Sequence, residues 1–564
     1  MIIMNPRFPN KNVGIFILLC LLIAIVGCKK SNDGPKIAEF ETITFKFGSD
    51  STAIAIDNAV QVLKNMPRSC DVTQLGASAV LPAGYSISPN PAIAVDYTKS
   101  VSYTITNKQG DTFSIKITAP AYDPVNNPYG IYTAAHLSNV RKGMNDSYVL
   151  MNDIQLPNQS APNASAEVGI SDYKDYGWYS IGATYVNGGH VMFRGSLDGN
   201  NHVIKNFTSS FRPSGNPLPT GIDAGHSVKT NDGLFGYAMK ATIKNLGIQL
   251  AATGINDITP ENESYSNVGS LVGLADSSSI TNCFVTGSSV IKAGQYTGGL
   301  IGRARYSTIS KSYVAIVPAT GDFAIAAYGD GGGLIGSALV CEVSDSYASS
   351  SIVGNVNVGG LIGSTNTVNV KTSYASGRVQ EMPNNIIGGF SPSNNLGGLI
   401  GSVTGISPAN STIVNSYATG AVAGVDGANV SFHRNTRIGG LVGSVASTTV
   451  PTSITNCYAT GNLSRAKSNT VAPFWIGGLA GTTPNNVFVL SSASTNYWDK
   501  ETTGQTSLGG GNATSAQDNA FTVNGKTSTE MKTMSTFANW DFSAVWTIGS
   551  GANNGYPYLR SNNR

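Results

Sequence analysis

The sequence predicts an all-β chain: a small antiparallel β-sandwich, a long parallel β-solenoid and a closing segment. Three observations predict it. Of 564 residues, 65 are glycine and 12% are charged, and each glycine inside a helix would cost about 1 kcal/mol relative to alanine. Near the front, two β-rich runs alternate around a turn, as a hairpin does. Along most of the remainder, a Gly-Leu-aliphatic-Gly tetrapeptide returns again and again. Hydrophobic residues make up 41% of the chain, enough for a core. The formal net charge is +3, which speaks against a nucleic-acid partner.

The first element is a leader. Arg7 and Lys11 precede the apolar run Val13 to Val26, followed by Gly27-Cys28. This run is too short to span a bilayer as a helix and reads as a secretory signal over residues 1–27. Ile25-Val26-Gly27-Cys28 resembles the lipobox of bacterial lipoproteins, which implies an acyl chain on Cys28 and attachment to a membrane. Residues 28–36 are then a polar tether.

Residues 37–119 form the sandwich. Its β-rich runs are Thr42 to Phe47, Val80 to Ile87 and Val101 to Ile105, and it closes with the hairpin Ser102-Tyr-Thr-Ile-Thr and Thr112-Phe-Ser-Ile-Lys-Ile around Asn107 to Gly110. Alternation in both arms predicts one buried and one wet face. This segment resembles the immunoglobulin-like N-terminal modules of Gram-negative surface lipoproteins, which usually act as spacers or accessory domains. A linker follows, Ala119 to Tyr129, with Pro120, Pro124 and Pro128.

Residues 129–500 carry the repeats. Eight tetrapeptides stand at Gly233-Leu-Phe-Gly236, Gly269-Ser-Leu-Val-Gly273, Gly298-Gly-Leu-Ile-Gly302, Gly332-Gly-Leu-Ile-Gly336, Gly359-Gly-Leu-Ile-Gly363, Gly397-Gly-Leu-Ile-Gly401, Gly439-Gly-Leu-Val-Gly443 and Gly477-Gly-Leu-Ala-Gly481. A second element follows seven of them, as in Asp345-Ser-Tyr-Ala-Ser349 and Asn415-Ser-Tyr-Ala-Thr-Gly420, with its aromatic 11 residues after the last glycine in four copies and 15 or 16 in three. Each repeat of 27 to 42 residues is read as one coil. Its Leu and Ile, and the Tyr or Phe of the second element, are expected to point inward and stack. The glycines are expected at corners, where a Cβ would collide or φ must be positive. Cys283 and Cys457 then lie five coils apart, roughly 24 Å along the axis, beyond disulfide reach.

These units resemble the GLUG motif, found in bacterial surface adhesin-like proteins and in non-catalytic regions of some IgA peptidases. The resemblance extends to entry rungs at Tyr148 to Ile154 and Phe193 to Asn206, and to a capping helix at Tyr132 to Leu137. It also covers the aromatic ending Tyr497 to Gly504, Trp540-Asp-Phe542, Val545 to Ile548 and Gly555-Tyr-Pro-Tyr-Leu559, with 501–564 as the cap. It implies a right-handed parallel β-helix on a lipid-anchored protein of the outer membrane, facing the cell surface.

No catalytic motif emerges. The histidines His136, His190, His202, His226 and His433 offer no His-Glu-x-x-His, and no Gly-x-Ser-x-Gly occurs. His202 reads as a turn residue of an entry rung. No cofactor or metal is expected; Asp330 lies among glycines, yet the calcium repeat Gly-Gly-x-Gly-x-Asp is missing. Asp322, Asp330, Glu342 and Asp345 form the densest acidic group, read as turn charges on successive coils. Exposed aromatics are the alternative means of holding a sugar. Candidates outside the inward slots are Tyr296, Tyr306, Phe323, Tyr328, Phe390, Phe474 and Trp475, of which Tyr296, Tyr306, Tyr328 and Trp475 are kept as ligand-binding candidates. The expected function is therefore display of a repeat surface for adhesion, binding a glycan or a host or matrix protein without catalysis. The alternative is a polysaccharide lyase or glycosidase on the same fold, which would need acids gathered with a basic residue in one groove.

Overall fold

The computed structural model describes residues 44–47, 53–55, 59–182, 185–186, 189–211, 231–258, 266–318, 321, 323–382, 393–405, 410–425, 435–445, 452–465, 474–482, 488–490, 495–507 and 524–562. The chain is all-β, as its composition predicts. Its front module packs a three-stranded sheet (Ala53–Ala55, Thr44–Phe47, Ala77–Val80) against a four-stranded one (Val60–Val62, Thr112–Thr118, Val101–Thr106, Ser86–Ser88). The predicted hairpin forms, Tyr103 facing Ile115 and Ile105 facing Phe113, with those side chains in the core beside Phe45, Phe47 and Tyr97. Val80 to Ile87 is not one run. Pro82 to Gly84 turns the chain, with Gly84 at φ +83°, so two separate strands end on opposite sheets.

Beyond the linker the chain winds into a parallel β-helix. One coil shows the plan. It begins on the third sheet (Asp330–Gly332), turns through Gly333-Leu334 and runs along the second sheet (Ile335–Ser344). It then bends at Asp345 and returns on the first sheet as Tyr347–Ala348 and Ile352–Gly354. The coil strands pair in parallel with their equivalents one coil away, for example Ile335 with Ile362 and Gly332 with Gly359. Leu300, Leu334, Leu361, Leu399 and Leu441 stack inside, as do Ile301, Ile335, Ile362 and Ile400, all fully buried.

The glycines answer to crowding rather than to positive φ. A Cβ on Gly359 would lie 1.9 Å from the carbonyl oxygen of Ile362 in its own turn; one on Gly360 would lie 2.2 Å from the Gly398 oxygen and 2.8 Å from the Ala375 Cβ across the interior. The thin interior therefore couples the second glycine to the alanine of the next element, and this pairing recurs at Gly333–Ala348, Gly398–Ala418 and Gly440–Ala459. The left-handed corners fall to other residues: Asn282, Lys311, Asp345, Thr372, Asn415 and Asn456 all adopt φ of 46–54°. Asparagine tolerates that region best, and its side chains ladder between coils, Asn282 to Asn245 at 2.9 Å and Asn456 to Asn415 at 3.2 Å.

The aromatics of the second element do stack, but they do not point inward. Phe284, Tyr313, Tyr347, Tyr374, Tyr417 and Tyr458 form a continuous ladder with centroids 4.8–5.1 Å apart and planes within 6°. Strand alternation sends the next residue, Val285, Val314, Ala348, Ala375, Ala418 or Ala459, into the core instead. A coil narrow enough to need Gly-Gly has no room for a ring there.

Both ends are closed. The predicted first helix spans Ala134–Asn139, capped by the Thr133 hydroxyl, and Trp178 is fully buried with its Nε1 donating to the Leu234 carbonyl at 3.1 Å. At the other end Trp498 fills the interior over Gly478. The closing segment reaches further than an end plug. Met531, Phe537, Trp540, Trp546, Tyr556 and Leu559 fold back along the outer ladder and bury Tyr417, Tyr458 and Tyr497.

Candidate functional site

The leader, Cys28, the tether, Asp322 and Phe390 lie outside the described residues, as do the side chains of Phe474 and His190 and all of His226 and His433. His202 sits in its entry-rung turn, its amide donating to the Gly199 carbonyl at 2.8 Å and its Nδ1 lying 3.3 Å from Asp153 Oδ1. The three described members of the acidic group do not converge. Asp330 stands on the third sheet, Glu342 pairs with Lys371 on the second, and Asp345 occupies the corner, accepting from the Thr372 hydroxyl at 2.7 Å.

Of the four aromatic candidates, two fall in the same register column, five coils apart. Strand pairing places Tyr296, Asp330, Asn357, Asn395, Arg437 and Trp475 in one column on the outer side of the third sheet. Alternation leaves these residues half-buried, while their neighbours Val358, Leu396 and Ile438 enter the core. Tyr306 is 58% exposed at a corner, and Tyr328 is half-buried beside the strand Asp330–Gly332; neither belongs to the column.

The column faces a second one. Gly-Gly-Leu makes so tight a turn that the outer side chains of the second sheet, Arg303, Ser337 and Ser364, meet those of the third. The Arg303 guanidinium lies 4.9 Å above the Tyr296 ring, and Ser364 hydrogen-bonds to Asp330. The two columns of half-buried side chains meet along the axis, and the line where they meet is the groove. Within the third-sheet column, Arg437 covers the Trp475 ring of the next coil at 5.2 Å. Between the two arginine–ring pairs runs an amide ladder: Asn357 Nδ2 donates to Asp330 Oδ1 at 2.7 Å, Asn395 Nδ2 to Asn357 Oδ1 at 2.7 Å, and Arg437 Nη1 to Asn395 Oδ1 at 3.2 Å. Burial pushes the Asp330 carboxyl up to about 6, against hydrogen bonds from Ser364 and Asn357 and the nearby Arg303 charge. Phe323, the remaining aromatic, lies beneath Arg378 at 5.1 Å.

Sequence reasoning missed Arg303, Arg437, Asn357 and Asn395. The signal was present: every column residue stands two positions before the first glycine of its Gly-Gly-Leu, and Arg303 directly follows the last. A cavity of about 290 Å³ lies where the front module meets the solenoid, lined by Arg68, Asp71, Thr73, Tyr122, Asn127 and Tyr129. Arg68 there pairs with Asp146 at 2.7 Å. Among the described residues no group of three or more His, Cys, Asp or Glu is placed to hold a metal ion.

Comparison with known proteins gives two family matches. Residues 42–119 match the family described as SGBP, N-terminal, and residues 264–291 and 434–464 match the GLUG motif. A crystal structure from Bacteroides ovatus that carries the name of an immunoglobulin A1 protease is 17% identical, with 78% of this chain and 93% of that one covered at a TM-score of 0.34. A second structure, named IgA1 Protease, is 15% identical and covers 81% of this chain and 28% of that one, also at 0.34. No curated protein matches. The matched motifs coincide with coils of the solenoid and the matched module with the front sandwich, so the chain carries GLUG motifs within a parallel β-helix that follows an N-terminal module similar to the SGBP family.

Proposed function

We propose that this is a cell-envelope lipoprotein, held at the outer membrane by an acyl group on Cys28 and facing outward, whose β-helix displays a non-catalytic surface for a glycan or a host or matrix protein. The carrying observation is the scatter of the acids. Glycoside hydrolysis needs two carboxyl groups roughly 5–9.5 Å apart across one bond, whereas Asp330 and Glu342 stand on different sheets, Asp345 sits at a corner, and Glu342 is paired with Lys371. The groove combines aromatic rings, amides, hydroxyls and guanidinium groups, which is binding chemistry. The SGBP family, named for surface glycan-binding proteins, supports the same reading.

A polysaccharide-active enzyme is the second reading, favoured by one feature: the Asp330 carboxyl, pushed up to about 6, lies near Arg303 in the groove. A glycan-array and host-matrix screen on the purified chain, run beside a depolymerisation assay, separates the two. Saturable binding without product release is expected. New reducing or unsaturated chain ends would overturn the binding reading.

A further inference from the structure

We propose that the groove between the second and third sheets binds a linear acidic polysaccharide laid along the helix axis, with carboxylates received by Arg303 and Arg437. This rests on the binding reading above and names its ligand class.

Arg303 is the first reason. Among the described residues its guanidinium makes no hydrogen bond and no ion pair, its Nε is buried without a partner, and it rests on the Tyr296 ring with the Asp330 carboxyl nearby. Two residues along the same strand, Arg305 is paired with Asp276 at 2.6 Å. A desolvated donor left unpaired is costly, and a guanidinium held flat on a ring is already oriented for a bidentate anion. Arg437 repeats the device. It lies on Trp475, uses one nitrogen on Asn395, and burial lowers its pKa, so an added negative charge would be favoured there.

The spacing is the second reason. Arg303 and Arg437 stand four coils apart, roughly 19 Å at about 4.8 Å per coil. Between them Asn357 and Asn395 each spend one amide hydrogen on the preceding side chain. Each amide has two, so a donor repeats along the axis beside the hydroxyls of Ser337 and Ser364. A polymer with hydroxyls throughout and carboxylates at intervals satisfies both sets. A neutral glycan would leave the guanidinium groups unanswered.

The test uses the full chain with polygalacturonate and alginate as acidic probes and dextran as the neutral one, followed by affinity electrophoresis and calorimetry. Saturable binding of an acidic polymer, weakened by salt, is expected, with dextran inert. Arg303→Gln and Arg437→Gln should each weaken binding about tenfold or more, the scale of a lost charge-assisted hydrogen bond. Arg303→Lys, which keeps the charge and loses the planar fork, should weaken it as well. Thermal melts of the variants should match the parent, so that a loss of binding is not a loss of fold. Equal binding of dextran, or undiminished binding by both Gln variants, would overturn the proposal. If the acidic probes fail while the array returns a neutral glycan or a protein, this site assignment falls and the binding reading stands. If the array is empty and chain ends appear, that reading falls too.

Discussion

Replacing Ser346 with alanine should cost about 1–3 kcal/mol, a prediction that tests how the coils are joined. The residue before four of the five ladder tyrosines is a fully buried serine, at positions 312, 346, 373 and 416. Ser346 Oγ accepts from the Ser312 amide at 3.1 Å and donates to the Ser344 carbonyl at 2.7 Å, while its own amide donates to Ser373 Oγ at 3.2 Å. Alanine removes one oxygen and leaves almost no cavity. The Ser344 carbonyl keeps the Lys311 amide at 3.0 Å. The cost therefore falls on the Ser312 N–H, a buried donor left without an acceptor. Ser346→Cys should cost about half as much, since sulfur is a weak acceptor and cysteine occupies the equivalent slots at 283 and 457. Urea unfolding gives the total. Because a solenoid can open coil by coil, hydrogen exchange at the Ser312 amide gives the local effect. A change under about 0.5 kcal/mol with that amide still fully protected would refute the reasoning.

Further predictions follow the same logic. Trp546→Ala empties a fully buried slot against Tyr417 and Tyr458 and should cost about 3–5 kcal/mol, read as an earlier melting transition for the C-terminal coils. Gly360→Val should prevent assembly of its coil, since even a Cβ meets the Gly398 oxygen at 2.2 Å; a soluble variant with parental β-sheet circular dichroism and melting would contradict this. Asp330 holds its proton up to about 6 in the folded chain, against an ordinary 3.8. The native state therefore binds more protons than the unfolded state between about 4 and 6, and stability should fall by a few kcal/mol at most as pH rises through that window. Asp330→Asn, which preserves the amide ladder, should flatten the slope in pH-dependent melts. In binding, the charged and titratable groups facing Asp330 are Arg303 from the second sheet and Tyr296 from the preceding coil. Ionisation above about 6 adds negative charge beside Arg303, so acidic polymers should bind more weakly there, and Asp330→Asn should remove that dependence.

Much of the fold was legible because the repeat states one geometric requirement many times. The tetrapeptide shows where the turn must be tight, and the buried Leu and Ile columns follow from it. The direction of the aromatics was not legible. Period-two alternation fixes that Tyr347 and Ala348 face opposite sides, but not which side is inside; that depends on the interior width, set by Gly333 against Ala348 across the coil. The groove was half legible. Tyr296 and Trp475 stood out as rings, while Arg303 looked like any surface cation, because only folding reveals that it lacks an ion-pair partner.

The sequence by itself determined an all-β chain, the coil as the repeating unit, the front module with its hairpin, and the need for closed ends, all of which are consequences of local composition and spacing. The tertiary structure decided the rest. It turned the tyrosine ladder outward, laid the closing segment along that ladder rather than only across the end, and brought residues from neighbouring coils into one column. Those outcomes depend on which side of each strand the coil can afford to fill, and that is set by contacts between residues about 27 to 42 positions apart.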